Sequence, residues 1–191
     1  MNEWQLPYGN IIAQNHHASL LHYQYQDRQA GEHLNSLLID AGANVDGYAS
    51  DITRTYVGPR CYSQAAADLF AELLERMQTH QDALINQVFP GANYVDLQAA
   101  MHQSLARILV DTGIVQCDPE EAFNSDLTVP FCPHGLGHLL GIQVHDVGGQ
   151  QLDIDGQTSP PPEPYASLRL TRPLAENMVI TVEPGLYFIP M

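Results

Sequence analysis

Positive charge is scarce in this sequence: seven Lys plus Arg stand against 22 Asp plus Glu among 191 residues, a formal net charge of -15. Such a field repels phosphate backbones and anionic headgroups, which excludes nucleic acid and an anionic membrane as partners and favours cations. Cysteine is scarce too. Cys61, Cys117 and Cys132 lie far apart and form no CxxC pair, so neither a disulfide framework nor a thiolate zinc knuckle is expected, and a reducing cytoplasm is the compartment that fits. No run approaches the ~18 apolar residues that a membrane span requires, and no basic stretch followed by an apolar one opens the chain. Apolar material is plentiful by contrast. Hydrophobic residues at 45% and a mean hydropathy of -0.17 suffice for one packed domain, read as 1–191, and argue against disorder.

Punctuation organises the chain. IIAQN, ASLLHYQYQ and SLLIDAGANVDGYASDITRTYV are β-branched or aromatic-rich and separated by turn residues, so the first fifty-odd positions are expected to form antiparallel sheet. After Gly58-Pro59, Ser63 caps a helical run with Leu69, Leu73, Met77, Leu84 and Val88 on its apolar stripe, ended by Pro90-Gly91. Asn93 or Asp96 starts a second helix, with Leu97, Met101, Leu105, Ile108 and Leu109 on one face and Gly113 as its stop. A short acidic stretch (Asp118, Glu120, Glu121) follows. PHGLGHLLGIQVHDVGG is too rich in glycine for a helix and is read as strand and turn, while TSPPPEP forms an irregular loop and MVITVEPG a buried strand ending at Pro184. Strands, two helices and strands again indicate an α+β domain, a curved antiparallel sheet with helices packed on one face.

Three groups of residues carry chemistry. Asp40 and Asp51 flank the turn segment GANVDG, and a hairpin centred between Val45 and Asp46 pairs positions whose numbers add to 91, placing the two aspartates opposite each other. Like charges so opposed destabilise a sheet unless a cation lies between them. The other reading is an ordinary Asp46-Gly47 turn with two solvated strand-end aspartates. His134, His138 and His145 follow one another within twelve residues, interleaved with glycines that permit close backbone approach. Glu183 sits in the apolar run MVITVEPG, where an ionised carboxylate is costly to bury without a cation or donors. It is otherwise the exposed end of an edge strand. Three carboxylates and an imidazole form a mostly oxygen donor set suited to manganese, cobalt or zinc rather than copper(I) or an iron–sulfur cluster.

LLIDAGANVDGYASDITRTY, PHGLGHLLGIQVHDVGG and TVEPGLYF, in this order and separation, resemble the metal-dependent Xaa-Pro dipeptidases (prolidases) of the pita-bread fold, relatives of aminopeptidase P and methionine aminopeptidase. The resemblance runs from about Pro7 to the last residues and is strongest to bacterial prolidases and the similar organophosphorus acid anhydrolases. It implies that Asp40, Asp51, His138 and Glu183 are metal ligands, with Asp51 bridging two divalent ions, manganese foremost. It further implies that His134 and His145 lie near the substrate, His145 steadying the scissile carbonyl oxygen, that His22 stands beside the substrate, and that Arg169 helps hold the substrate's carboxylate. Glu183 takes and returns a proton in the implied mechanism.

Two departures bear on these implications. The family carries a fifth ligand, a second glutamate in a later segment resembling GIRIED, and this sequence ends at Met191 before such a segment. Asp40, Asp51 and Glu183 bring three negative charges to the four positive charges of two divalent ions, so the second site is expected to be weakened. The family's amino-terminal domain is likewise expected to be absent, since the sequence opens close to the catalytic sheet. The expectation is therefore a C-terminally incomplete catalytic-domain fragment whose exposed sheet edge favours a homodimer. The expected activity is hydrolysis of Xaa-Pro dipeptides. The alternatives are a non-catalytic metal- or peptide-binding module of the same fold and a phosphotriester (organophosphorus) hydrolase, with aminopeptidase P a weaker relative.

Overall fold

The computed structural model describes residues 6–25 and 31–189, and its chain divides into two compact units. The first comprises Met1–Arg76 with Gly141–Val144 and Tyr187–Met191, and the second Met77–Leu140 with His145–Leu186.

In the first unit, β1 (Ile11–Gln14), β2 (Leu34–Ala41) and β5 (Ile52–Arg60) form an antiparallel sheet with β2 in the middle, and β3 (Asn44–Val45) pairs with β4 (Tyr48–Ala49). The expected sheet is therefore present over IIAQ and the long third segment. ASLLHYQYQ is not a strand. Asn15 turns into the left-handed region (φ 54°), a short 3-10 turn covers Asn15–Ser19, and the chain continues irregularly through Tyr25, Gln26 lying outside the described residues. The Asn15 side chain replaces the missing ladder bonds: its Oδ1 accepts from the Asn35 amide at 2.7 Å and its Nδ2 donates to the His33 carbonyl at 3.0 Å. Ile11, Ala13 and Tyr23 form the small buried cluster of this unit.

The hairpin register differs from the expected one. Val45 pairs with Tyr48 and Asp40 with Thr53, so paired numbers add to 93 and the turn is centred between Asp46 and Gly47. Both have positive φ, 53° and 87°, as a two-residue type I′ turn demands, and Asp-Gly is a preferred pair for it. In this register Asp51 falls opposite Gly42, and the two aspartates are diagonal neighbours rather than directly opposed. An offset of two residues keeps them on one face.

In the second unit the apolar stripe of α2 (Tyr94–Asp111) is buried as its periodicity predicts: Leu97, Met101, Leu105, Ile108 and Leu109 are all interior. Asn93 is its cap, accepting from the Val95 amide at 3.0 Å. α1 (Gln64–Ile85), whose residues up to Arg76 belong to the first unit and the rest to the second, is capped by Ser63, whose hydroxyl accepts from the Ala66 amide at 3.1 Å. Its stripe runs through Leu73, His80 and Leu84, whereas Leu69 stands half exposed. The acidic stretch is a short helix, α3 (Pro119–Asn124), with Asp118 as its cap and Pro119 in its first turn.

MVITVEPG differs from expectation as well. It is half-buried, and instead of a ladder it makes separate hydrogen bonds to the glycine-rich segment: Thr181 N–H to the His138 carbonyl at 3.0 Å, Glu183 N–H to the Leu136 carbonyl at 2.8 Å, and Leu140 N–H to the Val179 carbonyl at 3.0 Å. The glycine-rich segment consists of turns and bends with one bridge, Leu139 to Ile180. Among the described residues, no helix is long and apolar enough to cross a membrane.

Two histidines are interior here. His80 is 3% and His102 2% exposed, and both ring nitrogens of His80 lack a hydrogen-bond partner among the described residues. Burial pulls each pKa down to about 4, His80 additionally through the charge of His102, and His102 through His134 against the opposing pull of Asp126. Below the ordinary histidine value of 6.5 the unfolded chain therefore binds more protons than the folded one, and stability rises with pH across the window from about 4 to 6.5. We expect the urea midpoint to fall on acidification through this window, reflecting a loss of unfolding free energy of about 3 kcal/mol per ring. A midpoint that stays constant from pH 7 to pH 5 would show that these rings are not held neutral.

Candidate functional site

The first unit gathers two of its carboxylates around one phenol. Tyr8, three residues before β1, has its hydroxyl 2.6 Å from Asp40 Oδ1 and 3.1 Å from Asp51 Oδ1. Asp40 lies on the central strand between Ile11 and Thr53, and Asp51 just before β5, where Ser50 is pinned to Ala43 by its amide (2.9 Å) and its hydroxyl (2.9 Å). Both carboxylates are half-buried. Burial, then the hydrogen bond and charge of Asp40 and the charge of Asp51, drive the Tyr8 pKa far upward, so the phenol keeps its proton and shares it between two anions. Nothing in the spacing of PYGN singles out Tyr8. Its role emerges only from the fold.

Replacing Tyr8 with Phe withdraws that proton. The metal-free protein is expected to lose about 1.5–3 kcal/mol of stability, a lost bond to charged acceptors. Urea unfolding in chelator checks it, and an unchanged midpoint would show that the phenol contributes no bond there.

The second unit brings His138 and Glu183 together. His138 is 4% exposed, and its Nε2 lies 3.2 Å from Glu183 Oε1. Its Nδ1 is 2.9 Å from the Leu139 carbonyl, which can only accept, so the Nδ1 proton is committed to that bond. In its neutral form His138 aims the Nε2 lone pair at a carboxylate oxygen. That contact is attractive only with a proton or another cation between the two atoms. An imidazole with its far N–H on a backbone carbonyl is also the arrangement of a metal-ligating histidine. Thr181 completes the group: its hydroxyl accepts from the His138 amide at 3.0 Å and donates to Glu183 Oε1 at 2.7 Å, while its carbonyl accepts from Tyr94 at 2.6 Å. The donor set therefore fits a divalent ion in chemistry and in the state of its protons.

The remaining expected residues are placed as follows. His145 packs edge-on against His138, ring centroids 4.5 Å apart. His134 donates from Nδ1 to the Gly135 carbonyl at 2.8 Å, with Nε2 3.9 Å from Cys132 Sγ. Burial alone would lower the His134 pKa, but Cys132, the Gly135 carbonyl and the charge of Glu183 outweigh it and lift it to about 9. Arg169 is exposed between the buried Leu168 and Leu170. His22 is exposed in the first unit, beside the buried Tyr23.

The chain is similar to known proteins along its whole length. Residues 1–191 match metallopeptidase family M24. An Xaa-Pro dipeptidase of Actinobacillus pleuropneumoniae is 46% identical over 193 residues, covering 100% of this chain and 42% of the relative. One from Shewanella loihica is 48% identical over 189 residues, covering 99% and 41% respectively. Among solved structures, Pseudomonas aeruginosa aminopeptidase PepP superposes with a TM-score of 0.75 at 31% identity, covering 97% of this chain and 38% of that one. Zinc-substituted Escherichia coli aminopeptidase P in complex with product gives 0.73 at 31% identity, covering 96% and 37%. The α+β, pita-bread class expected from the sequence agrees with these neighbours, and the chain spans about two fifths of the length of the curated relatives it matches. With the family model matched along its whole length, the chain belongs to metallopeptidase family M24.

Proposed function

We propose that this chain is the catalytic part of a peptidase that hydrolyses Xaa-Pro dipeptides, with Asp40, Asp51, His138 and Glu183 as ligands of two divalent ions, manganese first. The observation that carries the reading is the His138–Glu183 contact, an imidazole lone pair and a carboxylate oxygen 3.2 Å apart with the other imidazole nitrogen already committed. Divalent ions bound there supply an acidified water as nucleophile and polarise the scissile carbonyl.

The protein's own groups do the rest. Glu183, steadied on one oxygen by the Thr181 hydroxyl, accepts the proton of the attacking water and returns it to the leaving nitrogen. That return is required because the bond before proline is a tertiary amide with no N–H. His145, braced against the His138 ring, donates to the carbonyl oxygen as it gains charge. His134 adds a positive charge that Glu183 stabilises, Arg169 offers a planar fork to the substrate carboxylate, and His22 lies along the peptide.

Metal content and turnover test this together. Protein loaded with manganese and freed of excess is expected to retain the metal and to release proline from an Xaa-Pro dipeptide. Retention without release favours a binding module of the same fold. Failure to retain any manganese would overturn the proposal.

A further inference from the structure

We propose that Gln98 and His102 are positioning residues for the metal ligands, holding the peptide of Leu136 in place through a buried relay that ends on Thr128. The inference rests on the reading of His138 and Glu183 as ligands.

The two side chains are 1% and 2% exposed, one turn apart on the otherwise apolar buried face of α2. Gln98 Oε1 accepts from the Leu136 amide at 2.6 Å. Its Nε2 then has only hydrogens to offer His102 Nε2, 3.0 Å away, so that ring nitrogen must be the unprotonated one. The proton resides on Nδ1, which donates to Thr128 Oγ1 at 2.9 Å. Tyr165 stacks on the His102 ring at 5.0 Å and 7°, restraining its rotation. Each member has one admissible role, and the chain of donors runs in one direction.

The far end of the relay is what gives it a function. The Leu136 peptide has Gln98 on its N–H, while its carbonyl accepts the amide of Glu183 at 2.8 Å. Two residues on, His138 exchanges a pair of bonds with Thr181, its amide donating to the Thr181 hydroxyl and its carbonyl accepting from the Thr181 amide. The glycine-rich segment has no continuous ladder to fix it, so a buried amide at Leu136 would otherwise lack a partner. Leucines at 98 and 102 would fill the core as well but would leave that amide orphaned. The groups facing His102 are Asp126, His134 and His80; burial outweighs the attraction of Asp126 and keeps the ring neutral, as the relay requires.

Three variants test this, using calorimetric titration with manganese alone and nitrogen-detected NMR of the imidazoles. Wild-type His102, assigned by its loss in His102→Asn, is expected as the Nδ1–H tautomer at pH 7. Gln98→Leu is expected to fold and to bind manganese about tenfold or more weakly, the range for loss of an outer partner of a ligand. Gln98→Glu keeps an acceptor for Leu136 and offers His102 Nε2 an acceptor in place of a donor, so His102 takes up a proton from solvent, becomes an imidazolium that donates from both nitrogens, and the affinity stays within about threefold of wild type. A merely structural pair would lower the melting temperature and leave the manganese affinity unmoved, and that result in Gln98→Leu overturns the proposal. Should Gln98→Leu not fold, the other two readouts decide: an Nε2–H tautomer in wild type, or a Gln98→Glu protein that binds manganese about tenfold or more weakly than wild type, overturns it. Wild-type protein that binds no manganese overturns the ligand reading itself, an outcome distinct from a normal wild type beside an unaffected Gln98→Leu.

Discussion

On the proposed ligand reading, His138→Ala is expected to weaken manganese binding by more than about 100-fold and to remove the proposed Xaa-Pro hydrolysis at any manganese concentration that saturates the wild type. The reasoning starts from the protons. With Nδ1 donating to the Leu139 carbonyl, His138 offers Nε2 as a ready-made donor atom beside a carboxylate, and the variant deletes that atom while leaving Glu183 and Thr181 paired. Losing a ligand should exceed the 10–100-fold typical of losing an outer partner. A buried ring is also removed, so a melting curve in chelator must accompany the titration, separating unfolding from lost coordination. A folded variant that binds manganese within about threefold of wild type would remove His138 from the ligand set.

The second large effect is expected at Gly137. A Cβ built there would meet the Thr181 carbonyl well inside contact distance and stand 2.5 Å from the Tyr94 hydroxyl, the donor and acceptor of a 2.6 Å hydrogen bond. Neither atom is the loose end of a flexible chain. Tyr94 is fully buried, and the Thr181 amide is tied to the His138 carbonyl. Gly137→Ala must therefore displace the segment that carries Glu183, at a cost of about 3 kcal/mol or more, which for a chain of this size corresponds to a fall of roughly 6–12 °C in melting temperature. Thermal unfolding checks the size, and a loss under 1 °C would mean the two segments do not approach this closely in solution.

Much of the architecture could be read before the fold was known, where a local rule and the packing agreed. The α2 stripe and its Asn93 cap are such a case: periodicity, cap chemistry and burial all point the same way. The hairpin shows how a small misreading propagates. Centring the turn one residue early moved the partner of Asp40 from Thr53 to Asp51, although Asp46-Gly47 is itself the preferred pair for a two-residue turn. Asp118 followed by Pro119 and two glutamates was equally a helix start, read as a mere charge run. MVITVEPG has the composition of a buried strand, but its partner is rich in glycine and bends too often to form a ladder, so composition misled there. Tyr8 and the Gln98–His102 pair were not legible as functional residues. Each acts through a contact distant in sequence: Tyr8 reaches residues 32 and 43 positions away, and Gln98 one 38 positions away. Two polar residues at i and i+4 inside an apolar stripe were nevertheless a visible anomaly.

The hydrogen bonds that set Glu183 in place have a kinetic consequence. Gln81 reaches the Val182 carbonyl across 101 residues, Tyr94 the Thr181 carbonyl across 87, and His138 the Thr181 hydroxyl across 43. The helices need only neighbouring residues and can assemble early, whereas these ties must wait until long stretches of chain have been brought round. During refolding, helical signal should thus recover before the segment around Thr181 docks, and a chain halted partway would be well structured by circular dichroism yet chemically inert.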